Sequence, residues 1–123
     1  MKGKGPVKHY KEFDVYQRAY QAAVQLHKLT ITFPEFEQFG FAEQVRRSSK
    51  SIPVNFAEGF SRGLMSKAEF KRFLLIAIGS CDETKVWLDF AKDLGYASQS
   101  LYKELYQEYE EIGKMLYSLW KSP

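Results

Sequence analysis

The segment from residue 39 to residue 61, FGFAEQVRRSSKSIPVNFAEGFS, carries a proline in the middle of a helical pattern. Its apolar residues recur every three to four positions, which predicts an amphipathic helix. Pro53 lies inside that helix, where a proline removes a backbone hydrogen bond and typically costs about 3 kcal/mol. We therefore expect a helix that is kinked at Pro53 and stabilised by the packing around the kink. Its inward side chains are Val45, Ser49, Ile52 and Phe56.

Three further segments show the helical period, and none alternates with period two for long enough to predict a strand. Ser66 and Glu69 have the spacing of a capping box, Gly95 can end the helix that follows, and Ser98 or Ser100 can begin the next one. The predicted helices cover about residues 13–33, 41–61, 66–94 and 98–121. Because the connections are short, we expect an all-α, antiparallel up-down-up-down four-helix bundle.

Composition and charge fit one bundle domain at residues 12–121, preceded by a flexible basic arm at residues 1–11. Through Arg72 the chain has 13 basic and 7 acidic residues, a net charge of +6, and after it 5 basic and 8 acidic, a net charge of −3. The basic half is a candidate surface for phosphate. The lone Cys81 fits a reducing cytoplasm, and the sequence shows neither a signal peptide nor an apolar run long enough to span a bilayer.

The first helix carries two apolar stripes, although a surface helix normally has one. We expect one stripe to face the core (Phe13, Tyr16, Tyr20, Val24, His27, Ile31) and the other to face a second copy of the chain (Val15, Ala19, Ala22, Leu26, Leu29, Phe33).

In the fourth helix an aliphatic stripe (Leu101, Leu105, Ile112, Leu116, Leu119) is flanked by aromatic residues of the kind enriched at interfaces. The predicted homo-oligomer interface comprises Val15, Ala19, Ala22, Leu26, Tyr102, Tyr106, Tyr109 and Trp120. The alternative is a well-filled core with exposed tyrosine edges.

Catalytic and metal sites are not indicated. A di-iron site in a four-helix bundle needs Glu-x-x-His motifs on facing helices, and neither His9 nor His27 has a glutamate three positions earlier. His27 lies on an apolar stripe, and Cys81 is interpreted as a small buried apolar residue. Acidic residues near Cys81 alternate with lysines, as on a solvated helix face. We predict no enzyme activity, no cofactor and no metal.

Several motifs, in order, resemble the family of 23S rRNA intervening-sequence proteins, also called four-helix-bundle proteins. The first motif comprises Phe33, Pro34, Glu37 and Gly40. The second is Q-x-x-R-x-x-x-S-I-x-x-N-x-A-E-G at residues 44–59, and the third is A-x-G-S-x-x-E at residues 77–83. The resemblance implies a four-helix bundle that assembles into a ring-shaped pentamer. Similar bundles serve as accessory subunits of diversity-generating retroelements, where they bind a reverse transcriptase and its template RNA.

Four polar residues at motif positions, Asn55, Glu58, Ser80 and Glu83, are expected to form a buried network that stabilises the kink. Gly79 and Ser80 are expected to let two helices approach closely.

Basic residues concentrate on the second helix and the start of the third: Arg46, Arg47, Lys50, Arg62, Lys67, Lys71 and Arg72. Such residues bind nucleic acid through phosphates, without reading sequence. The alternative is a solvated face with ordinary ion pairs such as Glu43–Arg47. The resemblance favours RNA or DNA as a partner, and a retroelement reverse transcriptase is the second possibility.

Overall fold

The computed structural model describes residues 9–123. Its four α-helices are α1 (Asp14–Ile31), α2 (Phe41–Gly63), α3 (Lys67–Asp93) and α4 (Gln99–Trp120). Two short 3-10 helices, Tyr10–Glu12 and Glu35–Glu37, precede α1 and α2, and no strand occurs within residues 9–123. Each helix packs against its neighbour in the chain, and α4 returns to α1. The prediction of four antiparallel helices is confirmed.

The helix ends follow the local signals in the sequence. The Ser66 side chain accepts a hydrogen bond from the Glu69 backbone N–H at 3.2 Å, and Ser98 accepts one from the Leu101 N–H at 3.1 Å. Gly95 has a φ of +80°, a backbone conformation that glycine adopts without steric cost. Of the two serines proposed to begin α4, Ser98 is the one that caps it.

The last residues of the predicted arm, 9–11, lie in the described part of the chain. Residues 1–8 of the arm lie outside the described residues. Tyr10–Glu12 form a 3-10 helix, in which the His9 ring nitrogen accepts from the Lys11 N–H at 3.2 Å. Tyr10 packs against the core. Two residues of the predicted arm, Tyr10 and Lys11, therefore belong to a helical turn in the described part of the chain.

The face of α1 that packs inward is the opposite of the one predicted. Four residues of the stripe assigned to a second copy are at most 3% exposed and form part of the subunit's own core: Val15, Ala19, Ala22 and Leu26. The stripe assigned to the core includes Tyr20, which is 50% exposed, and Ile31, which is 61% exposed. The four buried residues therefore cannot contact another copy, and that part of the predicted interface is wrong.

The aromatic flank of α4 is also largely occupied within the chain. Tyr109 is fully buried, so its assignment to an interface is wrong as well. The Tyr102 hydroxyl donates to Asp89 at 2.6 Å, and the Lys92 ammonium lies 4.5 Å from the centre of the Tyr102 ring. Tyr106 and Trp120 are half-buried against the core, and their role in assembly stays a prediction.

Two glycines in the last turns of α2 lie in close contact with side chains of α3. A Cβ added at Gly59 would lie 2.6 Å from the Cβ of Phe73, and one at Gly63 would lie 2.9 Å from the Cβ of Phe70. The α2–α3 spacing therefore depends on these two glycines. Gly79 was predicted to play this part, but a Cβ there would meet nothing within 4 Å, and that prediction is wrong.

Gly59→Ala should destabilise the fold by about 1–3 kcal/mol, because the added methyl group overpacks a contact that neither backbone can easily relieve. Gly113→Ala is the matched control in α4, where the new Cβ would lie 3.6 Å from the Cys81 sulfur, an ordinary contact. The control should gain up to about 1 kcal/mol from helix propensity. Urea unfolding measures both, and equal effects of the two substitutions would contradict the close-approach explanation.

Candidate nucleic-acid interface

Arg46 is a structural residue, although the sequence placed it on a phosphate-binding surface. Its side chain is 16% exposed. The Nε group donates to the Thr30 hydroxyl at 2.8 Å, and the guanidinium also donates to the backbone carbonyl of Gln38 at 3.3 Å and to its side-chain oxygen. These bonds tie α2 to the end of α1 and to the connection between them. Arg46 is therefore removed from the candidate interface.

Gln38 completes this arrangement from the connection. Its side-chain amide donates to the carbonyl of Thr30 at 2.8 Å and to that of Phe33 at 3.1 Å. The last carbonyls of a helix have no partner within the helix, so Gln38 and Arg46 together satisfy and hold the end of α1. Sequence reasoning missed Thr30 and Gln38, because a contact across a connection leaves no periodic signal.

Arg47 and Lys50 remain on the surface of α2. The Arg47 guanidinium donates to the Gln44 side chain at 3.0 Å, whereas the expected pair with Glu43 is made instead by Arg46, at 3.7 Å. The Lys50 ammonium lies 2.9 Å from the His27 ring nitrogen. Burial, and then the charges of Lys50 and Arg46, lower the pKa of His27. A neutral His27 can accept a hydrogen bond from Lys50, which places the Lys50 charge beside α1.

A second cluster of positive charge lies where α2 ends and α3 begins. The guanidinium carbons of Arg62 and Arg72 lie 5.2 Å and 4.6 Å from the centre of the Phe73 ring. Both guanidinium groups pair with Glu69, at 3.8 Å and 3.1 Å, and Arg62 also pairs with Glu58 at 3.1 Å. The shared ring and carboxylates hold the two arginines together on one surface.

Two lysines belong to the same end of the bundle. Lys67 is the first residue of α3 and lies one turn before Lys71. Its ammonium donates to the carbonyl of Pro123. We call Arg62, Lys67, Lys71 and Arg72 the basic end. At a rise of 1.5 Å per residue, about 24 Å of helix separates Arg46 from Arg62, so the predicted basic surface divides into two regions.

The pKa directions at the basic end follow its ion pairs. The hydrogen bond from Arg72 lowers the pKa of Glu69, and the same bond raises the pKa of Arg72. Glu69 therefore stays ionised and Arg72 stays charged near neutral pH. Two carboxylates, Glu58 and Glu69, oppose the four cations, which leaves a local excess of positive charge.

The predicted polar network contains only two of its four residues. The Asn55 side-chain amide donates to the carbonyl of Ser51 at 2.8 Å and to its hydroxyl at 2.9 Å. The Ser51 hydroxyl lies 2.8 Å from the Ser80 hydroxyl and so connects α2 to α3. Ser51 was missed, although it is the serine of the motif at residues 44–59 and lies one turn before Asn55. A parallel link runs from Thr84 to Ser48, at 3.0 Å.

Glu58 and Glu83 do not belong to that network. Glu58 pairs with Arg62 on the surface, and Glu83 accepts a hydrogen bond from the Trp87 indole at 3.1 Å. The prediction of a buried carboxylate was wrong, since the Glu58 side chain is 46% exposed. α2 is continuous through Pro53, and the kink itself stays a prediction.

The single thiol is buried between α3 and α4. Cys81 is 1% exposed, and its sulfur donates to the Tyr109 carbonyl at 3.1 Å. Burial raises the pKa of the thiol to about 12. Among residues 9–123 no three His, Cys, Asp or Glu side chains are grouped so that they could hold a metal ion.

Arg46→Met should destabilise the protein by about 1–3 kcal/mol, because it removes a charged donor from the buried end of α1. Arg47→Met is the matched control on the exposed side of the same turn and should change stability by less than about 0.5 kcal/mol. Urea unfolding of both variants tests the assignment. Equal stabilities would mean that Arg46 does not hold the α1–α2 connection.

Comparisons with known proteins place the chain in a family. The profile of the 23S rRNA-intervening sequence protein family matches residues 11–118. A crystal structure of a protein of unknown function from the S23 ribosomal protein family of Bacteroides thetaiotaomicron VPI-5482 is similar, with a TM-score of 0.80 and 28% sequence identity over 88% of this chain and 96% of that chain. No curated protein matches. In the described part of the chain no helix is long and apolar enough to cross a membrane. The chain belongs to the 23S rRNA-intervening sequence protein family.

Proposed function

We propose that this protein is a non-enzymatic homo-oligomer that binds RNA or DNA through phosphate contacts at the basic end. The observation that carries the proposal is the collection of four cationic side chains at the junction of α2 and α3, opposed by only two carboxylates. Phosphate is the common anionic group of every nucleic acid, so such a surface binds without reading bases.

The arginines at the basic end are held in position before any ligand arrives. Arg62 and Arg72 lie against the ring of Phe73 and share Glu69. A guanidinium that is already ordered loses less side-chain entropy when it binds a phosphate. Phe73 is 7% exposed beneath the two guanidinium groups, so it offers no face for a base to stack on. This arrangement favours the nucleic-acid backbone as the ligand.

Assembly of several subunits would bring several copies of the basic end together. Large apolar side chains remain half exposed on the single subunit, among them Val54 at 59% and Phe90 at 50%. Contiguous exposed apolar surface commonly marks an interface. In an oligomer the basic ends of all the subunits would add to one positive electrostatic potential. A long polyanion could then contact several subunits.

A binding role agrees with the state of the reactive groups described. A nucleophilic cysteine needs an accessible thiolate, whereas Cys81 is buried with a raised pKa. His27 has a lowered pKa and accepts from Lys50, and His9 caps a 3-10 helix. These groups are engaged in the fold, which supports a non-enzymatic role.

The charge dependence of binding tests the proposal. Lys67→Gln with Lys71→Gln should lower the slope of log affinity against log salt concentration by about 0.7 to 0.9 for each phosphate that the lysines neutralise in the unmodified protein. Fluorescence anisotropy with a labelled RNA hairpin and a DNA duplex, between about 50 and 200 mM salt, measures the slope. The control is Lys103→Gln with Lys114→Gln on the exposed surface of α4, which removes the same charge elsewhere.

An equal decrease of the slope in the control pair would show that only net charge matters. If the unmodified protein retains neither nucleic acid at low salt, nucleic-acid binding is excluded. The second candidate partner, a retroelement reverse transcriptase, would then become the better proposal.

A further inference from the structure

An apolar groove runs along the outside of the bundle between α1 and α2. Its volume is about 800 Å³. Half-exposed side chains from both helices line it, with Tyr20 at 50% and Val54 at 59%. The Tyr16 ring lies 5.0 Å from that of Tyr10 and 6.0 Å from that of Tyr20, which gives one wall a row of aromatic rings.

The rim of this groove is positively charged at one end. Lys28 of α1 and Lys50 of α2 lie there, and the Lys50 ammonium contacts the His27 ring. The one carboxylate in the lining, Glu58, is paired with Arg62 at 3.1 Å. A partner that fills the groove would therefore match it best if it were apolar along most of its length and acidic at one end.

A second uncovered apolar surface lies on α3. The side chains that form it are 39–51% exposed and lie along one face of the helix, on either side of Glu83: Leu75, Ile76, Val86, Phe90 and Leu94. We call this surface the α3 stripe. Acidic side chains border it, since Asp82 is 69% exposed and Asp93 is 76% exposed. Their lysine partners, Lys85 and Lys92, turn toward the tyrosine rings of α4.

Gly79 lies within the α3 stripe and has no explanation inside the subunit. A glycine in the middle of a helix costs about 1 kcal/mol relative to alanine. A Cβ at this position would meet no atom of another described residue within 4 Å. Its absence leaves the α3 backbone open to close approach from outside.

We propose that the α3 stripe of one copy packs into the α1–α2 groove of the next copy. The groove extends over about 17 Å, from Lys50 to Ser61 of α2, and the stretch from Gly79 to Phe90 covers about the same length of helix. Asp93, at one end of the stripe, meets Lys28 and Lys50 at the positively charged end of the groove rim. A helix laid in an apolar groove is a common mode of protein recognition.

This pairing joins two different surfaces of the same chain. Such a heterologous contact builds a ring when the rotation between copies closes, and a filament when it does not. The inference rests on the homo-oligomer of the proposed function and specifies the faces that form it.

Two single variants and their mixture test the pairing. Val54→Glu disables the groove and Val86→Glu disables the stripe, each at an exposed site. Each variant alone should be a monomer of about the 14.3 kDa subunit mass, its dissociation constant raised by about 100-fold or more. Mixed in equal amounts they should form a dimer of twice that mass, because each variant supplies the face that the other lacks.

Sedimentation velocity measures the masses, and circular dichroism checks that helix content is unchanged. Met65→Glu is the matched control, since Met65 is 91% exposed in the α2–α3 turn, outside both surfaces. This variant should assemble like the unmodified protein.

The outcomes separate the inference from the proposed function. A monomeric unmodified protein would overturn both the homo-oligomer and the pairing. If the unmodified protein is an oligomer and both glutamate variants still assemble, the pairing is wrong and the homo-oligomer stands. If both variants are monomers but their mixture gives no dimer, the contact is not between the groove and the stripe.

Discussion

The contact between the end of α2 and the start of α3 determines most of the remaining structure. At Gly59 and Gly63 the absence of side chains lets the Cβ atoms of Phe73 and Phe70 approach α2 more closely than a Cβ at either position would allow. Farther along, the hydroxyls of Ser51 and Ser80 join the same two helices at 2.8 Å. The pair is thereby fixed by backbone proximity at one end and by hydrogen bonds in the middle.

The position of the basic end follows from that contact. Phe73 is held against Gly59, and its ring is the surface on which Arg62 of α2 and Arg72 of α3 converge. A shift between the helices would separate the two guanidinium groups and their shared Glu69. The candidate phosphate site is therefore a consequence of core packing, and its geometry depends on two small residues that do not touch a ligand.

The sequence was sufficient for the helices and insufficient for their orientation. Caps such as Ser66 and Ser98, and the 3.6-residue period, act within one helix, so the architecture could be predicted. The prediction for α1 failed because both its stripes are apolar, and periodicity cannot tell which of them faces inward. The small residues of the buried stripe, Ala19 and Ala22, allow close packing, while Tyr20 stays half exposed. The prediction for Arg46 failed because its partners, including Thr30, belong to another segment.

The central claim is that the apolar surface left open by one subunit is covered by the next. Cysteine cross-linking tests it directly, since the native Cys81 is buried and its raised pKa keeps it unreactive near neutral pH. A chain with both Val54→Cys and Val86→Cys, treated with a short bismaleimide, should give a ladder of covalent multimers. A chain with only one of the two introduced cysteines should give no covalent dimer, because the surface that its cysteine faces on the neighbouring copy carries no introduced thiol. Covalent dimers from a single-cysteine chain, or no ladder from the double variant in an assembled sample, would contradict the account.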